Sequence, residues 1–257
     1  MPLLEIQQVS KRFGGVTALE GVTLGVALGQ IVGLIGPNGA GKTTLFNCVT
    51  GVLPIDEGQI LFGREAPQPL NRLQPHEVMQ CGIARTFQNI RLFSSLSVLE
   101  NVLVGTYIRT HAGLISSTLL SPEARREEQW AQDRAMGLLG FVGLADRARE
   151  LAGALPFGWQ RRLEIARALA SDPALLLLDE PAAGLNPTEK QQLVQLLQHV
   201  KAQGITMLII EHDMQVVMPI SDAVAVLDEG RIIAEGPPMS IQNDPRVIEA
   251  YLGTPNV

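Results

Sequence analysis

The stretch "GPNGAGKTT", residues 36–44, decides the fold because it joins a glycine-rich turn to a lysine and two threonines. It fits the pattern G-x-x-x-x-G-K-[ST], in which the amides of a glycine-rich loop surround phosphate oxygens. The apolar run "QIVGLI", residues 30–35, precedes it, and a helical pattern follows from about Thr43. This order of strand, loop and helix favours a phosphate-binding loop (the P-loop, residues 36–44) over an ordinary glycine turn with a surface lysine.

Each P-loop residue has a predicted role. The glycines let successive amides curl around an oxyanion, Lys42 reaches the β and γ phosphates, and the Thr43 hydroxyl can ligate Mg²⁺. The predicted nucleotide-binding residues of the loop are Gly36, Pro37, Asn38, Gly39, Ala40, Gly41, Lys42, Thr43 and Thr44.

Two carboxylates follow a second buried strand. Asp179 comes directly after four leucines, and Glu180 is next to it. Because polar residues at the carboxyl ends of parallel strands meet at one edge of the sheet, Asp179 is predicted to hold Mg²⁺ beside the P-loop. Glu180 is predicted to take a proton from an attacking water, a role worth roughly 100- to 10,000-fold in rate. A purely structural acid pair is the alternative.

Three further residues are candidates for the same site. His212 follows the apolar run "TMLII" and Glu211, and it could hydrogen-bond the γ phosphate or be an ordinary packing residue. Gln88 is predicted to end the strand "GIARTFQ" and to position water or the metal ion. Phe13, in "SKRFGG", could stack on an adenine ring or pack in the core.

Composition limits the class of protein. The 257 residues are 46% hydrophobic with a net charge of −6, which argues against a general nucleic-acid-binding surface. Cys48 and Cys81 lack metal-type spacing and suit a reducing compartment as small core residues. The N-terminus has no signal-peptide pattern and no apolar run reaches about 18 residues, so we expect a soluble chain. Four arginines are predicted to lie on solvated helix faces: Arg125, Arg126, Arg161 and Arg162.

Strand patterns at both ends of the chain flank a helical, charged stretch. We expect a single domain over residues 1–257, whose nucleotide-binding core and β subdomain comprise residues 1–90 and 155–236. Residues 91–154 are predicted to form an inserted helical subdomain, and residues 237–257 a C-terminal helical tail. "AVAVLDEGRIIAEG" is predicted to be a hairpin that turns at Glu229-Gly230.

The start of one helix is unusual. In "LPFGWQRRLEIARAL", residues 155–169, Pro156 lacks an N–H group and Gly158 lacks a side chain, so another molecule could approach the first amides of the helix. A helix start of this kind attracts anions, although most glycine-led helices serve packing only. We call residues 155–160 the signature segment.

Together these motifs resemble the nucleotide-binding subunit of ABC transporters. The resemblance rests on Phe13, residues 36–44, Gln88, residues 155–162, "DEPAAGLNP" from Asp179 and His212 in "IEHDM". Within that family, the sequence is similar to the ATPase of branched-chain amino-acid importers, of the LivG type.

The resemblance implies an α/β fold: a RecA-like P-loop NTPase core with a mainly parallel sheet, an antiparallel β subdomain and an inserted α-helical subdomain. It implies ATP and Mg²⁺ as ligands, with Thr43, Gln88 and Asp179 at the metal. It also implies a head-to-tail dimer with a second, non-identical ATPase, whose nucleotide would face Phe157, Gly158, Trp159 and Gln160.

The same resemblance places the chain at the cytoplasmic face of the inner membrane, bound to two transmembrane permease subunits. An amino-acid-binding protein outside the membrane would act with them indirectly, and nucleic acid has no part. A catalytically weak regulatory ATP-binding module remains an alternative, as does an ABC ATPase for another cargo such as urea, an amide or an exported lipid.

The sequence departs from the family in two motifs. The common signature is Leu-Ser-Gly-Gly-Gln, whereas this chain has Pro156, Phe157 and Trp159 around Gly158, so the serine hydroxyl is missing. The loop after Glu180 has Asn186 where many members have aspartate. The first departure weakens anion binding in principle, and the second puts in doubt the strength of communication between the two ATP sites.

Overall fold

Two β-sheets form the framework of the computed structural model, which describes residues 2–107 and 122–252. The strands are β1 (Pro2–Phe13), β2 (Val16–Ala27), β3 (Ile31–Ile35), β4 (Glu57–Phe62), β5 (Gln68–Pro69), β6 (Ile83–Arg85), β7 (Leu175–Asp179), β8 (Thr206–Ile210), β9 (Ala223–Asp228) and β10 (Arg231–Gly236). The helices are α1 (Lys42–Val49), α2 (Pro75–Gln80), α3 (Val98–Thr106), α4 (Pro122–Val142), α5 (Phe157–Ala170), α6 (Pro187–Ala202), α7 (Met214–Ile220), α8 (Pro238–Gln242) and α9 (Pro245–Leu252).

The larger sheet has the strand order β10-β9-β3-β8-β7-β6. Its strands β3, β6, β7, β8 and β9 run parallel, and β10 pairs antiparallel with β9. Every residue of β3, β7 and β8 is buried, as expected for parallel strands that are covered on both faces. The parallel arrangement brings the carboxyl ends of these strands to one edge of the sheet, where the candidate site lies.

The smaller sheet is antiparallel, in the order β2-β1-β4-β5. Its hairpin β1–β2 turns at Gly14-Gly15, which leaves Phe13 at the tip. The predicted hairpin β9–β10 is confirmed, and Glu229 and Gly230 both have positive φ, at 43° and 78°. The Glu20 amide donates to the Gly230 carbonyl (2.9 Å), so this turn also joins the two sheets.

Helices α3, α4 and α5 pack against one another beside the larger sheet. Ser97 and Glu100 form the predicted capping box at the start of α3, because the Ser97 hydroxyl accepts the Glu100 amide while the Glu100 carboxylate accepts the Ser97 amide. Leu163 and Ile165 of α5 belong to the apolar cluster that continues onto β7 and β8. Over residues 2–107 and 122–252, none of the helices combines the length and apolar character needed to cross a bilayer.

Two predictions of local structure are wrong. The strand that precedes Gln88 ends at Arg85, three residues earlier, because Thr86 makes the last sheet-like bond, to the Leu177 carbonyl (2.9 Å), before the chain turns away. Arg161 lies on no solvated face: only 1% of it is exposed, whereas Arg125 and Arg126 are exposed as predicted and Arg162 is half-buried. Arg161 is buried because α5 passes under the segment after β6, whose carbonyls require donors.

Candidate functional site

The P-loop links β3 to α1 and depends on glycine for its shape. At Gly36 (φ 150°) an added Cβ would lie 1.9 Å from the Leu227 carbonyl oxygen, and at Gly41 (φ 104°) it would lie 2.5 Å from the Ala18 carbonyl oxygen. Gly39 (φ 86°) faces open space, so its requirement is conformational. The loop is therefore held tightly on its protein side and is open on the other side.

Lys42 begins α1 and points back into the loop. Its Nζ donates to the carbonyl oxygens of Gly36 (2.7 Å) and Pro37 (2.8 Å). Burial lowers the pKa of Lys42, and the nearby carboxylates of Glu180 and Asp179 oppose that shift. The Lys42 ammonium group is thus partly desolvated and lies near the carboxylates of Asp179 and Glu180. This position suits a lysine that binds the phosphates of a nucleotide.

Asp179, at the end of β7, is 3% exposed and forms an ion pair with Arg85. The Arg85 Nη2 atom lies 2.8 Å from Asp179 Oδ2, and its Nη1 donates to Asn47 Oδ1 of α1 (2.7 Å). Within the described ranges, Asp179 Oδ1 accepts no protein hydrogen bond. The oxygens of Asp179 and of the exposed Thr43 hydroxyl fit a Mg²⁺ ion, which prefers hard oxygen ligands. Arg85 gave no motif signal in the sequence.

Glu180 is brought together with Gln88 and His212. Gln88 Nε2 donates to Glu180 Oε2 (2.9 Å), and His212 Nδ1 lies 3.8 Å from the same oxygen. Glu180 has a left-handed backbone (φ 46°), and its amide donates to the Ile210 carbonyl (2.9 Å). The other carboxylate oxygen, Oε1, accepts no hydrogen bond from the residues that the structure describes, so a water molecule can use it. The three residues come from the segments after β7, β6 and β8.

Phe13 is 45% exposed at the tip of the β1–β2 hairpin, with Lys11 Nζ 5.5 Å from its ring centroid. The core-packing alternative is therefore wrong. Stacking on an adenine ring remains a prediction that this exposed ring permits.

Glu211 is a residue that the sequence reasoning missed. It is fully buried, and its carboxylate accepts the amides of Ala182 (2.6 Å), His212 (3.1 Å) and Asp213 (3.4 Å). Burial raises the pKa of Glu211, and these amide bonds oppose the shift. Its carboxylate fixes the segment after β7 to the segment after β8, and so holds Glu180 and His212 in relation to each other.

The helix start in the signature segment has free amides. Pro156 caps α5, and its carbonyl oxygen accepts the amides of Trp159 (3.0 Å) and Gln160 (3.0 Å). Among the described residues, the amides of Phe157 and Gly158 have no acceptor, so two donors remain for an external anion.

Gly158 plays a different part from the predicted one. The sequence suggested that its missing side chain lets another molecule approach, but Gly158 is buried, and an added Cβ would lie 2.5 Å from Glu189 Oε1 of the same chain. The space beside Gly158 is taken by the first turn of α6.

Trp159 turns back onto its own chain. The guanidinium carbons of Arg162 and Arg147 lie 4.7 Å and 5.4 Å from its ring, and an added Cβ at Gly143 would lie 3.7 Å from the indole. Cation–π contacts of this kind contribute about 0.5–1 kcal/mol each at exposed sites. The indole thus packs against neighbouring side chains of its own chain.

The loop after Glu180 touches the signature segment. The Phe157 ring lies over Gly184, where an added Cβ would be 3.0 Å from the ring. Asn186 caps α6 by accepting the Glu189 amide (3.0 Å), and Glu189 Oε2 accepts the Asn186 amide (2.9 Å). Asn186, where the sequence departs from the family pattern, therefore has a local role as a helix cap.

The sequence is similar to that of known transport ATPases. A family model described as "ABC transporter" matches residues 19–183, and one described as "Branched-chain amino acid ATP-binding cassette transporter" matches residues 231–255. The high-affinity branched-chain amino acid transport ATP-binding protein LivG of Escherichia coli K12 is 45% identical over 98% of each chain. BraF of Pseudomonas aeruginosa, which has the same description, is 44% identical over 98% of each chain.

Solved structures are similar as well. A nucleotide-free ATP-binding cassette from an ABC transporter has a TM-score of 0.84 at 35% identity, and covers 98% of this chain and 100% of its own. An ABC transporter cassette in an ADP conformation has a TM-score of 0.85 at 35% identity, covering 98% and 99%. A dimeric cassette in a post-hydrolysis state with ADP and Pi has a TM-score of 0.76 at 26% identity, covering 91% and 98%.

The contact between Gly158 and Glu189 predicts coupled effects on stability. Alanine in place of a helical glycine gains about 0.5–1 kcal/mol, but at position 158 it must displace Glu189 from its capping box. We expect Gly158→Ala to be neutral or destabilising alone, and stabilising by about 0.5–1 kcal/mol in a Glu189→Ala background. Denaturant unfolding of the four proteins in this cycle measures the difference.

The matched control is Gly137→Ala, because an added Cβ at this α4 glycine meets nothing within 4 Å. It should stabilise the protein equally with and without Glu189. A Gly158→Ala effect that is likewise independent of Glu189 would contradict the packing role of Gly158.

Proposed function

We propose, since this chain belongs to the ABC transporter family, that it is the ATP-binding and ATP-hydrolysing subunit of an importer of branched-chain amino acids. The observation that carries the proposal is the convergence of Lys42, Asp179, Glu180, Gln88 and His212 at one sheet edge. The cargo is inferred from the LivG and BraF relatives and from the match to residues 231–255. No residue of the site itself selects an amino acid.

In the proposed function, the P-loop binds the phosphates of ATP. Lys42 exchanges its bonds to the Gly36 and Pro37 carbonyls for phosphate oxygens, and the amides of the loop supply further donors. Phe13 stacks on the adenine. Thr43, Asp179 and Gln88 would hold Mg²⁺, which, when bound, neutralises phosphate charge and orients the oxygens of the phosphate chain.

Hydrolysis needs a base close to the γ phosphate. Glu180 accepts the proton of the attacking water at its free Oε1, while Gln88 holds Oε2 and so fixes the plane of the carboxylate. His212 is exposed beside Glu180 and donates a hydrogen bond to the γ phosphate as charge develops on it. The presence of all three residues supports hydrolysis over a purely regulatory ATP-binding role.

The partners follow from the same proposal. The amides of Phe157 and Gly158 have no acceptor among the described residues and suit a phosphate bound by another subunit, so we expect a head-to-tail dimer with a second, non-identical ATPase. A dimeric cassette with ADP and Pi is among the similar structures. Two transmembrane permease subunits would hold this pair at the inner face of the membrane, and an amino-acid-binding protein would deliver the cargo to them.

Replacement of Glu180 tests its role as base. Glu180→Gln should still bind Mg-ATP, because the P-loop is unchanged, but steady-state phosphate release by the assembled complex should fall about 100-fold or more. Nucleotide retention measured on the same samples should rise as the complex stays closed.

The matched control is Glu235→Gln, which neutralises an exposed glutamate on β10 outside the candidate site. It should hydrolyse ATP at the parental rate. Near-normal turnover of Glu180→Gln would remove Glu180 as the base.

The composite site predicts that the isolated chain hydrolyses ATP poorly, since its P-loop lacks the signature amides of a partner. Addition of the membrane subunits and the second ATPase should raise phosphate release per chain. Fast hydrolysis by the isolated chain that does not depend on protein concentration would contradict the composite site and indicate a self-sufficient enzyme.

Trp159 can be replaced with little loss if the backbone amides bind the partner's nucleotide. Trp159→Gln removes the contacts to Arg147 and Arg162 but leaves the amides of Phe157 and Gly158 in place. Phosphate release by the full complex should stay within about tenfold of the parent, a change of at most about 1.4 kcal/mol in the barrier. A complex that loses all stimulated hydrolysis would show that the indole is a required contact.

A further inference from the structure

A buried arginine lies beside the predicted metal ligand Asp179. Arg85 ends β6 and Asp179 ends β7, and these two strands pair in parallel. Their side chains are only 7% and 5% exposed, and Arg85 Nη2 lies 2.8 Å from Asp179 Oδ2. A carboxylate with so little access to water needs a counter-charge, because an unpaired buried charge is costly. Arg85 supplies that counter-charge from the neighbouring strand.

The guanidinium group of Arg85 is held in one place by several contacts. Its Nη1 atom donates to Asn47 Oδ1 of α1 (2.7 Å) and to the hydroxyl of Thr50 directly after that helix (3.2 Å). The ring centroids of Phe46 and Phe87 lie 5.6 Å and 5.1 Å from its central carbon. Because a guanidinium is planar and donates in several fixed directions, these contacts define both its position and its plane. The positive charge therefore stays beside the carboxylate.

The ion pair divides the two oxygens of Asp179. Oδ2 bonds to Arg85, whereas Oδ1 accepts no hydrogen bond from the part of the chain that the structure describes, and so is the oxygen left for a metal ion. The affinity of a site for a hard cation rises with the negative charge of its ligands. Here Arg85 cancels the charge of Asp179, and Lys42 adds a second positive charge near Asp179 and Glu180. A divalent cation therefore gains little at this site until further negative charge arrives.

We propose that Arg85 weakens this metal site, so that Mg²⁺ is held there only while a nucleotide is bound. The inference rests on the proposed function, in which the phosphates of the nucleotide supply the missing negative charge and further oxygen ligands. Arg85 is a positioning residue, since it holds Asp179 and touches no reacting atom. Asp179 thus stays oriented for the metal ion without attracting one to the empty P-loop.

A purely structural role of Arg85 makes a different prediction. Arg85 joins β6, β7 and α1, so its removal should lower the stability of the protein under either interpretation. Removal of a positive charge beside a metal ligand should in addition strengthen the attraction for a cation. A structural arginine would leave metal affinity unchanged, or would lower it if Asp179 became misplaced. A gain of metal affinity is therefore the result that only the proposed role predicts.

The first experiment titrates the full-length chain with Mn²⁺ in the absence of nucleotide. Mn²⁺ takes the same oxygen ligands as Mg²⁺, and its electron paramagnetic resonance signal reports how much of it is free. Arg85→Met removes the charge but keeps an apolar stem between the two phenyl rings. It should bind Mn²⁺ at least about tenfold more tightly than the parent. The double variant Arg85→Met/Asp179→Asn should lose this gain, which would locate the added affinity at Asp179.

The matched control is Arg134→Met, which breaks another pair of arginine and aspartate. Arg134 Nη2 lies 3.1 Å from Asp172 Oδ1, and Asp172 precedes β7, at the opposite end of that strand from Asp179. The control changes the net charge equally and should keep the parental affinity for Mn²⁺. Arg85→Lys keeps the charge in place with little change in volume, so it too should bind Mn²⁺ as weakly as the parent. Arg85→Lys that binds Mn²⁺ as tightly as Arg85→Met would overturn the role of the charge.

The second experiment repeats the titration with the chain saturated with ADP, which avoids hydrolysis. The parent should then bind Mn²⁺ far more tightly than without ADP, because the phosphates add charge and oxygen ligands. Arg85→Met should again bind Mn²⁺ at least about tenfold more tightly than the parent, since the repulsion between guanidinium and cation is removed in both states. Arg134→Met should keep the parental value.

The outcomes separate the inference from the proposed function. A parent chain that binds no ADP overturns the proposed function, while the titration without nucleotide still decides whether Arg85 weakens the metal site. A parent that binds ADP, with an Arg85→Met variant that unfolds at lower temperature but has the parental affinity for Mn²⁺ in both titrations, shows a structural arginine and overturns the inference. If Arg85→Met does not fold, Arg85→Gln, which keeps a donor for Asp179, should show the same gain in affinity, and its absence there would overturn the inference equally.

Discussion

The carboxyl edge of the parallel sheet is the constraint on which the rest of the structure depends. The strands β3, β7 and β8 are buried along their whole length, so their polar neighbours can reach solvent only where the strands end. The P-loop, the Asp179-Glu180 pair and the Glu211-His212 pair all follow directly from such ends. Parallel pairing puts these ends side by side, and charged groups that are far apart in the sequence become neighbours without long loops.

The sequence predicted this edge well, because its signals are local. Gly36 and Gly41 cannot be replaced because an added Cβ would clash with a backbone carbonyl oxygen. This steric constraint requires glycine at both positions, and the sequence motif therefore reveals it. Runs of leucine and isoleucine before Asp179 and Glu211 likewise show buried strands and where they end. The hairpin at Glu229-Gly230 and the helix cap at Ser97 could be predicted for the same reason, because each depends on a few consecutive residues.

What the sequence did not predict depends on contacts between distant segments. Arg161 has the sequence pattern of a solvated helix face, and its burial is explained only by the segment after β6, whose Phe87 and Gln88 carbonyls accept its hydrogen bonds. Arg85 and Glu211 carry no motif, yet each joins two of the segments that form the site. Gly158 is buried against Glu189, a residue of another helix. The sequence around Gly158 suggested an open helix start, but it could not show that Glu189 fills the space beside the glycine.

Glu180 has a backbone of the left-handed kind, at φ 46°, which costs a residue with a side chain about 1 kcal/mol more than it costs glycine. Two hydrogen bonds hold the backbone in this conformation: the Glu180 amide donates to the Ile210 carbonyl of β8, and the Ala182 amide donates to the buried Glu211 carboxylate. The backbone conformation at position 180 therefore favours glycine, whereas the contacts with Gln88 and His212 require the glutamate side chain. Selection for heat resistance alone would therefore favour glycine at position 180, and the carboxylate that contacts Gln88 and His212 would be lost with the strain.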